Sequence, residues 1–216
     1  MNYTSESYTT ERIRMIEEQL IPRGITDPAV INAMRTVPRH RFVKPGQEAM
    51  AYTDQPLPIG ENQTISQPYI VSLMTQSLEL QPDEKILEIG TGSGYQAAVL
   101  AEIGSEIFTV EKFETLLERA EAILEDLGYD NIITKLHNGT QGWPEQAPFD
   151  AILVTAGAPR VPDPLLDQLK EGGRMLIPMG DQTFQELIRI TRIDGKIRRE
   201  KLGGCRFVPL RGEYGW

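Results

Sequence analysis

The chain has 216 residues, 40% hydrophobic and 25% charged, which excludes a collagen-like rod, a coiled coil and a wholly disordered chain. Its 22 Lys and Arg against 31 Asp and Glu give a net charge of −9, which excludes nucleic acid as a partner unless a local basic patch exists. One cysteine, Cys205, and two histidines, His40 and His137, leave no internal disulfide and no Cys/His zinc site, so no metal is expected.

Residues 1–84 read as mainly helical. Met1–Thr10 is polar and lacks an apolar signal core, and no run approaches the roughly 20 apolar residues of a membrane span. The expected location is therefore the cytoplasm. Ile13, Ile16 and Leu20 share a helical face that Pro22-Arg23-Gly24 ends. Asp27 before Pro28 predicts an N-cap with proline at the first helical position, followed by Val30, Ile31 and Met34 at helical spacing. From Val37 to Gln63 the periodicity fails among Pro38, Pro45, Pro56 and Pro58, which predicts a long irregular connection. A third helix is expected from Pro68, with Val71, Met74 and Leu78 on one face.

Residues 85–180 alternate apolar runs with helical patterns. Strands are predicted over 85–89, 106–110, 131–136, 150–155 and 174–178, and helices over 95–103, 116–127 and 164–169. Such alternation predicts a doubly wound, mostly parallel α/β sheet. Residues 181–216 change character. Glu186–Ile193 alternates, Asp194-Gly195 is a hairpin turn signal, and Lys196–Val208 can return as a strand. This predicts an antiparallel C-terminal edge. The three stretches together are expected to form one domain, residues 1–216.

The strongest motif is Gly90-Thr91-Gly92-Ser93-Gly94, between a predicted strand and a predicted helix. Glycines there permit a tight turn and close backbone approach to a ligand. The dinucleotide pattern G-x-G-x-x-G would need glycine where Tyr95 stands. The spacing fits an S-adenosylmethionine loop better than an NAD loop. Glu88 adds a carboxylate at the strand end, which would repel a pyrophosphate but not a cationic amino-acid group. Glu111, 21 residues after Gly90, can accept hydrogen bonds from both ribose hydroxyls, and suits either cofactor. Asn138-Gly139, after the third strand of this region, reads as a turn or as a polar contact to an adenine edge.

Asn62-Gln63-Thr64-Ile65-Ser66-Gln67-Pro68 and Leu87-Glu88-Ile89-Gly90-Thr91-Gly92-Ser93-Gly94-Tyr95-Gln96-Ala97-Ala98 closely resemble the protein-L-isoaspartate O-methyltransferase family. The resemblance continues through Val37-Pro38-Arg39, Phe149-Asp150-Ala151-Ile152, Gly172-Gly173-Arg174 and Phe207-Val208-Pro209-Leu210, from about residue 10 to 210. The glycine loop is common to many methyltransferases, whereas Thr64–Pro68 is much more specific. The resemblance implies a Rossmann-like fold, S-adenosyl-L-methionine as cofactor, and the α-carboxylate of L-isoaspartyl residues in damaged proteins and peptides as substrate. It assigns Ser66 as the active-site serine, shared by cofactor and substrate, with Thr64, Ile65 and Gln67 beside the cofactor. It assigns Glu88, Gly90, Gly92, Ser93 and Gly94 to the loop around the methionine part and ribose, and Glu111 to the ribose. Val208 and Leu210 match the segment that helps form the peptide site. Family members often carry Asp-Gly where this chain has Asn138-Gly139, which are expected at the adenine. A monomer is the expected state.

An isoaspartyl carboxylate, with a pKa of about 4, is ionised at neutral pH and needs no general base. That fits the lack of an evident His-Asp pair or nucleophilic cysteine. Ser66 reads from local sequence as a helix cap, or as a residue that positions the carboxylate together with nearby helix N–H groups. Arg39, His40, Arg41 and Lys44 form a basic cluster, either a solvated face or an attractor of acidic substrate. Trp143 and Trp216 read as packing or edge residues. Two further readings keep the glycine loop but not this substrate: a methyltransferase with another acceptor, and a non-catalytic binding module. An NAD dehydrogenase is disfavoured by Tyr95.

Overall fold

The computed structural model describes residues 5–216; the first part of the polar segment Met1–Thr10, residues 1–4, lies outside the described residues. Helix α1 (Ser5–Met15) runs into a π-helical turn, Ile16–Leu20, and a 3-10 turn, Ile21–Arg23. The wider turn changes the helical period. Ile16 and Leu20 become fully buried while Ile13 stays 36% exposed, so the shared face expected for all three does not form. Asp27 caps α2 (Pro28–Thr36) as expected, its Oδ1 accepting from the Ala29 and Val30 N–H groups.

The stretch expected to be irregular holds a hairpin, β1 (Leu57–Gly60) and β2 (Gln63–Ile65), with Leu57 opposite Ile65. Its turn residues Glu61 and Asn62 both have positive φ, 50° and 56°, the conformation that suits strand twist in a two-residue turn. Two prolines, Pro56 and Pro58, obscure the alternation of Leu57 and Ile59, and a short edge strand tolerates the missing N–H of Pro58. The hairpin leads directly into α3 (Pro68–Ser77), which buries Val71 and Met74, with Leu78 just beyond it.

The rest of the chain follows the predicted alternation: β3 (Lys85–Ile89), α4 (Tyr95–Ala101), β4 (Glu106–Glu111), α5 (Glu114–Asp126), β5 (Ile132–Leu136), β6 (Phe149–Val154), α6 (Asp163–Asp167), β7 (Leu169–Gly180), β8 (Gln185–Ile193) and β9 (Lys196–Cys205). One seven-stranded sheet has the order β5-β4-β3-β6-β7-β8-β9. The first five strands of that order pair in parallel, and β8 and β9 are antiparallel additions at the edge. β7 begins five residues before its predicted start, and β9 ends at Cys205 instead of Val208.

Alternate strand residues serve opposite faces, as the strand period of two requires. Ile86, Ile107, Leu153 and Leu176 pack with the helices of the N-terminal region and with α4 and α5. Leu87, Ile89, Phe108, Val110, Ile152 and Met175 pack on the other face, with Trp143, Val161 and Leu165. Trp143 meets Phe108 edge to face at 5.4 Å, the packing role expected for it. The order reverses between β3 and β6. The chain proceeds outward through β4 and β5 and then returns to the other side of β3. Open α/β sheets bind ligands outside the carboxyl ends of the strands at such a reversal.

Candidate active site

At that reversal lies an open cleft, with about 890 Å³ of empty space counted out into the solvent. Its walls come from distant parts of the sequence: Gln63–Ser66, Gly90–Ser93, Glu111–Phe113, Gly139, Thr155-Ala156 and Phe207–Arg211. The cleft thus brings together Thr64, Ile65, Ser66, Gly90, Gly92, Ser93, Glu111, Gly139, Val208 and Leu210 from the sequence reading. Gln67, Glu88, Gly94 and Asn138 are not among its lining residues.

The glycine loop is fixed from below. The N–H groups of Gly90 and Thr91 both donate to the Val110 carbonyl, at 2.9 and 3.2 Å. The Thr155 hydroxyl donates to the carbonyls of Ile89 and Gly90, at 2.8 Å each. Gly90 has φ +100°, and a Cβ there would overlap that hydroxyl, so only glycine fits. Gly139 must also be bare, because a Cβ would fall 2.6 Å from Ile89 Cγ2. Gly94 instead begins α4 against Ala120 and Leu124 of α5; it packs helices rather than approaching the cleft.

Glu111 ends β4 and is nearly buried. Its carboxylate accepts from three backbone N–H groups, Gly92 at 2.8 Å, Lys112 at 2.7 Å and Phe113 at 3.0 Å. About one of its roughly four lone-pair positions stays open. The protein's own loop occupies the remaining positions.

Glu88 requires a larger correction. Its side chain is fully buried and is not among the residues lining the cleft. One oxygen accepts from the Thr109 hydroxyl at 2.6 Å, and that hydroxyl lies 2.7 Å from the Thr91 hydroxyl at the cleft. The other oxygen, Oε1, has no hydrogen-bond partner among the described residues. Burial raises the pKa to about 8, with nearby Glu111 adding to the rise and the Thr109 bond opposing it. Burial thus favours the neutral form of Glu88, which weakens any repulsion of a pyrophosphate.

Ser66 lines the cleft half-buried, but it does not cap α3. Gln67 is the N-cap residue, acting through its backbone carbonyl, and Pro68 takes the first helical position. The first available helix N–H, that of Tyr69, donates to Asp54 at 2.9 Å. This anion already occupies the helix N-terminus that the sequence reading offers to substrate. What fixes Ser66 is its backbone carbonyl, which accepts from Nη2 of Arg39 at 2.7 Å.

Arg39 itself is completely buried. Its Nε donates to the Ala51 carbonyl at 2.7 Å, and its guanidinium lies 4.7 Å from the Tyr95 ring centroid. Burial lowers its pKa. The basic cluster of residues 39–44 therefore does not exist as a surface. His40 stacks on Tyr8 at 4.0 Å and contacts the Tyr52 hydroxyl at 2.8 Å. Burial, with Arg12 and Arg41 nearby, pushes its pKa down to about 4, leaving it neutral. Arg41 pairs with Asp126. Sequence reasoning missed the role of Arg39; its place in Val37-Pro38-Arg39, a segment of the resemblance, was the available signal.

Asn138 turns inward. Its Oδ1 accepts from the N–H and the hydroxyl of Thr140, at 3.2 and 2.9 Å. It thus shapes the turn that presents Gly139, and that oxygen is committed to Thr140. Val208 and Leu210 are held to Gly157 by backbone hydrogen bonds of 2.8 and 2.7 Å, which fix the far wall. Cys205 is half-buried, and burial raises its thiol to about 11, so it stays protonated and is a poor nucleophile.

Comparison with known proteins agrees with this geometry. The family profile described as protein-L-isoaspartate(D-aspartate) O-methyltransferase (PCMT) matches residues 11–215. A protein-L-isoaspartate O-methyltransferase 1 of Syntrophobacter fumaroxidans is 57% identical over 210 residues, covering 97% of this chain and 98% of its own. A solved protein-L-isoaspartate O-methyltransferase superposes with a TM-score of 0.85 at 29% identity, over 94% of this chain and 67% of its own. A Plasmodium falciparum structure named for the same activity, solved with S-adenosyl-L-homocysteine, gives 0.81 at 27% identity, over 94% and 98%. Glycine loop, fixed acid, serine segment and C-terminal wall converge on one cleft, and the chain belongs to the protein-L-isoaspartate(D-aspartate) O-methyltransferase family.

Proposed function

We propose that this cleft carries out the family's repair reaction, transfer of a methyl group from S-adenosyl-L-methionine to the α-carboxylate of L-isoaspartyl residues, with Ser66 as the residue that positions the acceptor. The observation that supports it is the convergence of Thr64–Ser66, Gly90–Ser93, Glu111, Gly139 and Val208–Leu210 on one cleft. The cofactor fits the residues present. Glu111 keeps an acceptor position free, and Gly90, Gly92, Ser93 and Gly139 line the cleft beside it. When bound, S-adenosyl-L-methionine supplies an electrophilic methyl group on a sulfonium.

The chain's own part is binding and alignment. Glu111, Gly90, Gly92 and Ser93 would hold the ribose and methionine parts, with Gly139 beside the base. Thr64 and Ile65 form the adjoining wall, Ile65 buried and Thr64 exposed. Gln67 and Glu88 act from outside the cleft, Gln67 through the start of α3 and Glu88 through Thr109 and Thr91. Ser66 can donate a hydrogen bond to an acceptor that is already ionised, so no base is required. Alignment of this kind is worth roughly 7–11 kcal/mol in favourable cases.

Damaged proteins and peptides are the partners in this reading, met in the cytoplasm by a monomer that does not bind nucleic acid. Among the described residues no helix is long and apolar enough to cross a membrane. Ser66→Ala should lower kcat/KM for an isoaspartyl peptide about 10- to 150-fold, the equivalent of a hydrogen bond to a charged group, about 1.5–3 kcal/mol. Initial rates with base-labile methyl label read this directly. Unchanged kcat/KM in the variant would remove Ser66 from the site.

A further inference from the structure

The cations of this acidic chain are unevenly placed. Residues 196–211 hold six Lys and Arg against the single carboxylate Glu200, a net +5. The chain's −9 therefore divides into +5 on these 16 residues and −14 on the other 200. β9 supplies Lys196, Arg198, Arg199 and Lys201; Arg206 and Arg211 follow it, and all six are exposed. Lys201 pairs with Glu186 at 2.7 Å. The other five have no ion pair among the described residues.

Topology connects this strip to the cleft. Among the described residues β9 is the outermost strand and pairs with β8 alone, which leaves its second edge open to an extended chain. Antiparallel to β8, it runs in the same direction as β3 to β7, and its Cys205 end lies at the end of the sheet where the cleft opens. The chain then enters the cleft wall at Phe207, and Arg211 lines that wall. Cations stand on both faces of β9: Arg199 lies opposite Ile190 and Arg198 opposite Thr191, so successive residues flank the free edge on either side. A second copy of this strand is a poor occupant, because like charges would meet across the edge.

We propose that residues 196–211 form a docking track for an acidic, extended polypeptide segment flanking the isoaspartyl residue. This rests on the methyl-transfer reading and adds a substrate class to it: isoaspartyl sites in unfolded, acid-rich segments. At roughly 3.3 Å per residue, a flank of about eight residues leaving the cleft mouth reaches Arg198 and Arg199.

The test uses three isoaspartyl peptides: one short and neutral, one with a glutamate-rich tail of that length, and one with the same tail in glutamine. At low salt the intact protein should show a KM about tenfold lower for the glutamate tail than for the glutamine tail, and the gap should close in high salt. Arg198→Gln with Arg199→Gln should remove most of that preference, leaving kcat and KM for the short peptide unchanged. Equal KM values for the two tails, or a preference that survives the double substitution, overturns the track. Displacement of the glutamate-tailed peptide by single-stranded RNA of equal charge, at lower concentration than by the free tail, overturns its assignment to polypeptide. If the short neutral peptide is not methylated by the intact protein, the transfer reading fails and the track with it.

Discussion

Replacing Arg39 with leucine should cost about 2–5 kcal/mol of folding stability, because the carbonyls of Ala51 and Ser66 lose their donor, each orphaned carbonyl costing about 1–3 kcal/mol. Removal of a desolvated charge offsets part of this. Lysine can reach one carbonyl but lacks the planar fork that spans both, so Arg39→Lys should lose less. The second consequence is catalytic. The backbone of Ser66 would no longer be fixed, and kcat for isoaspartyl transfer should fall even in Arg39→Lys below its melting temperature. In a double-mutant cycle, Arg39→Lys should have little effect on kcat once Ser66 is alanine. Urea unfolding and initial rates provide both readouts. Full additivity with Ser66→Ala would show that Arg39 supports the fold without positioning the serine.

Glu88→Gln should stabilise the protein at neutral and alkaline pH and leave it little changed in acid. The carboxyl is buried, with one oxygen unpartnered among the described residues, and its pKa is about 8 when folded, against an ordinary 4.5 when unfolded. Below about pH 4.5 both states hold the proton, and this group does not oppose folding. From about 4.5 to 8 the unfolded chain ionises while the folded one stays protonated. Native stability is therefore lost by up to about 1.4 kcal/mol per pH unit. Above pH 8 both states are ionised and the loss reaches its plateau of a few kcal/mol. Glutamine does not titrate, so its advantage should open across that window and remain constant beyond it. Denaturant midpoints measured from pH 4 to 9 give the curve. A gap that is flat with pH would mean Glu88 is ionised in the folded protein.

The sheet was legible because its evidence is local. Short apolar runs, the Gly90–Gly94 loop and the Asp194-Gly195 turn each declare themselves within a few residues. β1 and β2 were not, since Pro56 and Pro58 interrupt the alternation and the turn at Glu61-Asn62 lacks the usual glycine. The cleft was legible where backbone shape sets it, at Gly90, Gly139 and Glu111. It was misread where the answer depends on which way a side chain turns. Glu88 is buried and absent from the cleft lining, Asn138 folds onto Thr140, and Asp54, 15 residues away in sequence, takes the helix N–H expected to serve Ser66. Charge misled in the same way. Arg39, His40, Arg41 and Lys44 are close in sequence, yet one is internal and one neutral, while β9 carries four exposed cations.

These assignments give the chain a cleft that aligns two reactants and leaves the acceptor to its own ionisation. The measurement that bears on this most directly uses methyl-labelled S-adenosylmethionine and two peptides identical except for one residue, Asp in one and L-isoAsp in the other. Membership of the family predicts base-labile label on the isoaspartyl peptide alone. Equal label on both peptides, or none on the isoaspartyl peptide with cofactor binding confirmed, would contradict it.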